Sequence, residues 1–256
     1  MKKLIAAGFI LTAVNVMGAT EGNDLEVSVG AGGMSKRSIY KTKDKYEVNP
    51  LIPLNVKYGD FYLSLMETEM GYTFYNEDGL RLSLIGKAHL GYDSSDLERE
   101  YRAMDDRDMD FHLGLKSVYS HKNYELISFI TGDVSGESDG KTAGVQGRAH
   151  YQVIQGKLVF SPSIGATYAD SGYVDYFYGV KGSEAREGNI NNGEEYRGAG
   201  SMIYSFNSAL TYIYDEFLSF SLLGGANLYD SKVENSPIVD KRYEYFGGGS
   251  FSYKFK

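Results

Sequence analysis

Three of the chain's four histidines, His89, His112 and His150, share one alternating register with Arg81, Lys87, Asp110, Lys116 and Arg148. Imidazole, hydroxyl and carboxylate groups held together could do hydrolytic work, with a histidine as general base. Gly136-Glu137-Ser138-Asp139-Gly140 fits the spacing G-x-S-x-G, but it falls in an expected loop rather than at a strand-to-helix elbow. The register residues would serve as a charge network filling a narrow polar interior, where unpaired charges have no room. The stretch from Asp93 to Asp110 holds eight carboxylates and three arginines. It could attract divalent cations, but it lacks the D-x-[DN]-x-[DN]-G calcium spacing, and a solvated loop accounts for it. Gly198-Ala199-Gly200 and Gly247-Gly248-Gly249 precede no helix, so they mark bends or close packing rather than phosphate loops. The absence of cysteine removes disulfide frameworks, Cys-ligated metals and thiol nucleophiles. With 34 acidic against 26 basic residues, a phosphate-neutralising nucleic-acid binder is excluded. No catalytic group, cofactor or metal set is assigned, and the expectation is a protein that is not an enzyme.

What could hold such a polar register in place is a set of strands. The 31 Gly, 23 Tyr and 13 Phe against four Pro point to many strands and tight turns. In Leu80–Tyr92, Leu80, Leu82, Leu84, Ala88 and Leu90 oppose Arg81, Ser83, Lys87 and His89. Ser201–Asp215 and the final segment from Tyr243 alternate in the same way, with Phe246 an apolar exception in the polar register. Further strands are expected at Leu25–Met34, Leu51–Tyr58, Met109–Tyr119, Tyr124–Thr131, Val145–Ile154, Leu158–Tyr168 and Phe217–Tyr229. Phe61–Tyr75 reads either as one long strand or as a hairpin turning near Glu67–Glu69.

The N-terminus reads as a secretory signal. Met1-Lys2-Lys3 is basic, Leu4 to Val14 is apolar, and Gly18 or Ala19 offers a small residue for cleavage. Residues 1–19 are therefore expected to be a removed leader and 20–256 the exported domain.

Connections alternate in length. Gly59-Asp60, Asn76–Gly79, Ser120–Asn123, Gln155-Gly156 and Asp215-Glu216 are short. Ser35–Asn49, Asp93–Asp108, Asp133–Gly144, Ala169–Gly200 and Asp230–Arg242 are long. Short turns at one end and long loops at the other are the pattern of an outer-membrane barrel. Lipid admits only helices or closed barrels, because every backbone group must be paired. The fold expected is all-β, an antiparallel transmembrane barrel of twelve strands, with ten as the fallback. Tyr204, Tyr214, Tyr229, Tyr243 and Tyr253 are assigned to the interfacial girdles. A soluble periplasmic β-protein is the alternative.

Five stretches stand in order along the chain: Asn49-Pro50-Leu51-Ile52-Pro53-Leu54 with Lys57-Tyr58-Gly59; Gly136-Glu137-Ser138-Asp139-Gly140; Ala169-Asp170 with Tyr173 and Tyr178-Gly179-Val180; Ser236-Pro237-Ile238-Val239; and Tyr253-Lys254-Phe255. In these the chain resembles the MipA/OmpV family of outer-membrane proteins. Two positions depart from the family pattern: Ser138 stands where a histidine is usual, and Lys256 follows the terminal aromatic. The resemblance implies an outer-membrane location and a scaffold bringing a lytic murein transglycosylase together with a murein synthase. Other members of the family are adhesins or small porins, so a narrow channel stays open as a second reading and a lumenal hydrolase as a third. The aromatic run Tyr173, Tyr176, Phe177, Tyr178, Gly179 and Val180 lies in an expected outer loop. Exposed aromatics are costly in water unless covered, so this run is expected to fold inward over the lumen.

Overall fold

The computed structural model describes residues 25–255, so the expected leader at 1–19 lies outside the described residues. Twelve antiparallel strands form one closed sheet. They are β1 (Leu25–Arg37), β2 (Tyr46–Leu51 continuing at Leu54–Tyr58), β3 (Phe61–Ser64) and β4 (Glu69–Glu77). Then come β5 (Leu80–His89), β6 (Asp110–His121), β7 (Tyr124–Asp133) and β8 (Lys141–Ala149 continuing at Tyr151–Ile154). The last four are β9 (Leu158–Ala169), β10 (Ser201–Ile213), β11 (Leu218–Tyr229) and β12 (Tyr243–Phe255). Closure is made by β12 on β1, from Val27 opposite Phe255 to Lys36 opposite Phe246. The Phe61–Tyr75 ambiguity resolves as a hairpin, with the turn at Leu65–Thr68.

Local chemistry explains the turns at one end. Gly59 and the pair Asp78-Gly79 take positive φ, the conformation that a two-residue hairpin matched to strand twist requires. Pro53 has no N–H to give a ladder, and β2 is interrupted at Ile52-Pro53. β1 and β2 both reach further up than the alternation suggested. Ser35 pairs with Val48 and Arg37 with Tyr46, so the first long loop shrinks to residues 38–45.

The wall is apolar outside and polar inside. Leu84, Leu113, Leu115, Ile130, Phe206 and Leu222 are exposed on the outer face. Ser83, Lys87, His112, Thr131, Ser161 and Ser205 are buried on the inner one. Tyr229 is a correction to the girdle assignment: it is 3% exposed and points inward. Its register partners Asn227 and Leu223 also face the lumen, because Phe220 and Leu222 hold the outer parity. No helix among the described residues is long and apolar enough to cross a membrane.

Candidate functional site

The largest apolar core lies among the long loops rather than in the wall. It joins Ile39 and Tyr40 from the first loop, and Tyr92, Leu97, Tyr101 and Met104 from the 90–109 loop. Around these pack Val233, Ile238 and Val239 from the 230–242 loop and Tyr173, Val174, Phe177, Tyr178 and Val180 from the 170–200 loop. At its centre is helix α1 (Ser171–Tyr178). A second helix, α2 (Gly182–Gly188), and a third, α3 (Ser231–Glu234), follow it in sequence.

The sequence motifs converge on α1. Asp170 is its N-cap, accepting from the Tyr173 N–H at 3.1 Å and the Lys141 N–H at 2.9 Å. Gly140 lies so close to the helix that a Cβ there would meet the Tyr173 backbone at 2.7 Å. Gly198 approaches as closely: a Cβ would meet the Asp175 nitrogen at 2.3 Å. The Gly198 N–H donates to Asp175 Oδ1 at 2.6 Å. The Ser236 hydroxyl donates to the Tyr178 carbonyl at 2.6 Å, and the Tyr40 hydroxyl to the Phe177 carbonyl at 3.2 Å. Tyr176 is the most open of the run, with its hydroxyl donating to Glu137 at 3.2 Å. Burial, and then the Glu137 carboxylate, push its phenol up to about 12.

A buried ion pair ties the loops together. Arg107 Nη1 and Nη2 donate to the two Glu184 oxygens at 2.9 and 3.2 Å, and Arg107 Nε donates to the Tyr176 carbonyl at 2.7 Å. Burial alone would lower the Arg107 pKa, but the Tyr92 phenol and the Glu184 carboxylate raise it, so the guanidinium stays charged. Glu184 also accepts from the Lys181 and Asp105 N–H groups at 2.7 and 2.9 Å. In the acidic 93–110 segment Leu97, Tyr101, Met104, Arg107 and Asp110 are buried, while Glu100, Asp105, Asp106 and Asp108 face solvent.

Beneath α1 lies the histidine cluster. The Asp110 carboxylate accepts from Ser138 Oγ at 2.6 Å and Ser135 Oγ at 3.0 Å, and sits 2.8 Å from His112 Nε2. His112 Nδ1 lies 3.1 Å from Thr131 Oγ1. Tyr173 reaches down with its hydroxyl 3.3 Å from His89 Nδ1, and the His89 and His112 rings meet edge-on at 4.6 Å. Carboxylate, imidazole and hydroxyl stand in relay order, but His112 is 1% exposed and Thr131 is buried. A reacting group would have no approach, so what this network does is hold α1 to the wall. Ser138 serves that role through its hydrogen bond to Asp110. The third lumenal histidine, His150, stands apart, with Nδ1 2.9 Å from Ser161 Oγ.

Below the cluster the lumen narrows and then opens. A cavity of about 40 Å³ lies under α1, lined by Lys87, His89, Phe129, Tyr173, Tyr178 and Tyr229. Midway, Glu69 accepts from Lys116 Nζ at 2.7 Å and Tyr62 at 2.8 Å, and Arg148 donates to Glu125 at 3.1 Å. Toward the short-turn end the lumen widens to a vestibule of about 340 Å³. Hydroxyls and amides line it: Ser28, Asn55, Ser161, Thr211, Ser219, Ser221, Ser250 and Ser252, with Glu26 and Lys254 at the rim.

A closed antiparallel barrel with an apolar exterior, a polar lumen, short turns at one end and packed loops at the other defines an outer-membrane β-barrel protein. The chain belongs to the MltA-interacting protein MipA family, whose profile matches residues 29–255. It is similar to the 24 kDa outer membrane protein of Pasteurella multocida strain Pm70, 25% identical across 99% of this chain and 98% of that protein. It is also similar to the outer membrane protein OmpV of Vibrio cholerae, 23% identical across 88% of this chain and 84% of that one. Among solved structures it is similar to an outer membrane channel of Pseudomonas putida F1, with a TM-score of 0.45 and 10% identity, covering 95% of this chain and 100% of that one. The protein lies in the outer membrane, as its relatives do.

Proposed function

We propose that this chain is a plugged barrel that docks murein-processing enzymes from the periplasm. The observation that carries this reading is the packing of α1. Tyr173, Phe177, Tyr178 and Val180 are buried between loops that meet over one end of the lumen, and Tyr176, with Gly179 at the helix C-cap, completes the run. The remaining open volume, the vestibule, faces the other end. Partners that act on murein work on the periplasmic side, and the short turns and the vestibule rim are the surfaces there. The family's description as MltA-interacting supports a lytic murein transglycosylase as one partner. A murein synthase as the second partner rests on the family resemblance alone. No catalytic role is assigned to Asp110, His112 or Thr131.

The test is capture of a purified transglycosylase of the MltA class by the detergent-solubilised barrel. Capture should survive deletion of Tyr173–Val180 and fall when the turns at Lys122-Asn123 and Asp215–Phe217 are replaced by Gly-Ser. Loss of capture on the α1 deletion would move the contact to the loops. A narrow channel is the second reading, favoured by the size of the vestibule. It would replace the first if the intact protein conducts freely and captures nothing.

A further inference from the structure

Four cationic side chains are buried among the described residues: Lys36, Arg37, Lys87 and Arg107. Three of them meet a carboxylate. Lys36 lies 3.5 Å from Glu47, Arg37 2.6 Å from Asp240 and Arg107 2.9 Å from Glu184. Lys87 has no carboxylate at ion-pair distance among the described residues, and its ammonium stands instead 5.3 Å from the centre of the Phe129 ring. A buried charge without a counter-charge is costly, and a ring face offsets only part of that cost. An ionisable group at membrane depth inside a barrel signals a functional position.

His89 stands beside it. The two are alternate residues of β5, so both face the lumen, with backbones roughly 6.5 Å apart. His89 Nδ1 is 3.3 Å from the Tyr173 hydroxyl, but the other ring nitrogen, Nε2, is buried with no hydrogen-bond partner among the described residues. Buried polar atoms are nearly always hydrogen-bonded, and this one meets no protein group. Both side chains line the cavity of about 40 Å³ beneath α1. One water needs roughly 10–15 Å³, so the cavity takes a few waters or one anion of a few atoms.

The rest of the lining favours an anion. It adds three phenols, three aliphatic hydroxyls and one amide, all able to donate, and no carboxylate. The acids around it are engaged with other groups. Glu69, opposite Lys87 on β4, accepts from Lys116 and Tyr62. Glu244 accepts from Asn227 and Tyr229, and Asp110 from Ser135 and Ser138. Two of the lining phenols, Tyr173 and Tyr178, belong to α1, so the plug helix itself closes the cavity.

We propose that this cavity is a small-anion site, filled by a chloride-sized anion that Lys87 and His89 Nε2 hold and that the seated α1 encloses. Binding selects the Nε2–H form of His89, leaving Nδ1 to accept from the Tyr173 hydroxyl. Because the site is complete only with α1 in place, the anion stabilises the closed plug by mass action. The inference needs the seated helix but not the docking of murein enzymes, so either can fail alone.

The experiment refolds the full chain into phospholipid vesicles in sodium chloride or in sodium gluconate, at matched concentrations from millimolar to molar. Gluconate is too large for the cavity. Hydrogen–deuterium exchange of the α1 peptide is then compared between the two salts. Protection should rise with chloride, reaching about tenfold at roughly ten times its Kd, and Lys87→Met should remove the dependence. In crystals of the unaltered protein grown in bromide, anomalous scattering should place a peak between Lys87 and His89. Equal protection in the two salts, a chloride effect that Lys87→Met retains, or a cavity without bromide would overturn the site.

Discussion

Substituting Glu184 with Ala gives a direct measure of how firmly α1 is held. The carboxylate is bonded to both Arg107 terminal nitrogens and to the Lys181 and Asp105 N–H groups, and the Arg107 and Glu184 side chains are 3% and 2% exposed. Removing it strands a buried guanidinium and two donors. Breaking a buried pair in this way typically costs about 3–5 kcal/mol. Local opening of the 170–200 segment relieves that cost by hydrating Arg107, so the opening equilibrium should rise by about 10²- to 10⁴-fold. The assay is hydrogen–deuterium exchange of the peptide covering α1, in detergent or lipid, where protection reads that equilibrium. Lys181→Ala is the matched control. It breaks the Lys181–Asp105 pair, whose side chains are 63% and 61% exposed. An exposed pair contributes at most about 1 kcal/mol, so protection should change by no more than roughly fivefold. Equal effects of the two substitutions would refute the claim that the buried pair locks the loops.

Other outcomes follow from the same contacts. Leu84→Arg, on the lipid face, should destabilise the barrel by about 2–4 kcal/mol in a urea titration in vesicles, and Ser252→Arg, on the vestibule wall, by clearly less. Equal costs would contradict the register. Gly140→Ala should lower α1 protection, because its Cβ would meet the Tyr173 backbone; unchanged exchange would mean the two segments separate at no cost. Burial alone would raise the Asp230 pKa, but hydrogen bonds from Ser201, Met202 and Lys232 hold it below the usual range. A depressed carboxyl stabilises the fold above its unfolded pKa and stops doing so as pH falls through its folded one. Exchange in the 230–242 loop should therefore rise below about pH 4 and stay level above pH 5. An epitope tag at Asn191 should be accessible on intact cells and one at Lys122 hidden; the reverse would invert the barrel.

The wall was legible because strand alternation is local. A two-residue period, together with the contrast between short and long connections, carries the strand count, and the structure makes Phe61–Tyr75 a hairpin. The first half of β2 escaped the pattern. Lys43–Glu47 and Asn49-Pro50 read as loop chemistry, yet Tyr46–Leu51 forms a ladder on β1. Tyr229 was assigned to the girdle by its position at a strand end, but its parity places it inside against Glu244. The aromatic run at Tyr173–Val180 signalled burial by composition, whereas its partners could not be read. Arg107 and Glu184 are 77 residues apart, and no period links them. The place of the turn at Leu65–Thr68 was legible only to within a few residues, since strand pairing is a property of the assembled sheet.

Single-channel conductance in a planar bilayer tests the plugged barrel most directly, comparing the intact chain with a deletion of Tyr173–Val180. The account predicts a small conductance for the intact protein and a clearly larger one after the deletion, with insertion retained. A large conductance in the intact protein that the deletion leaves unchanged would contradict it.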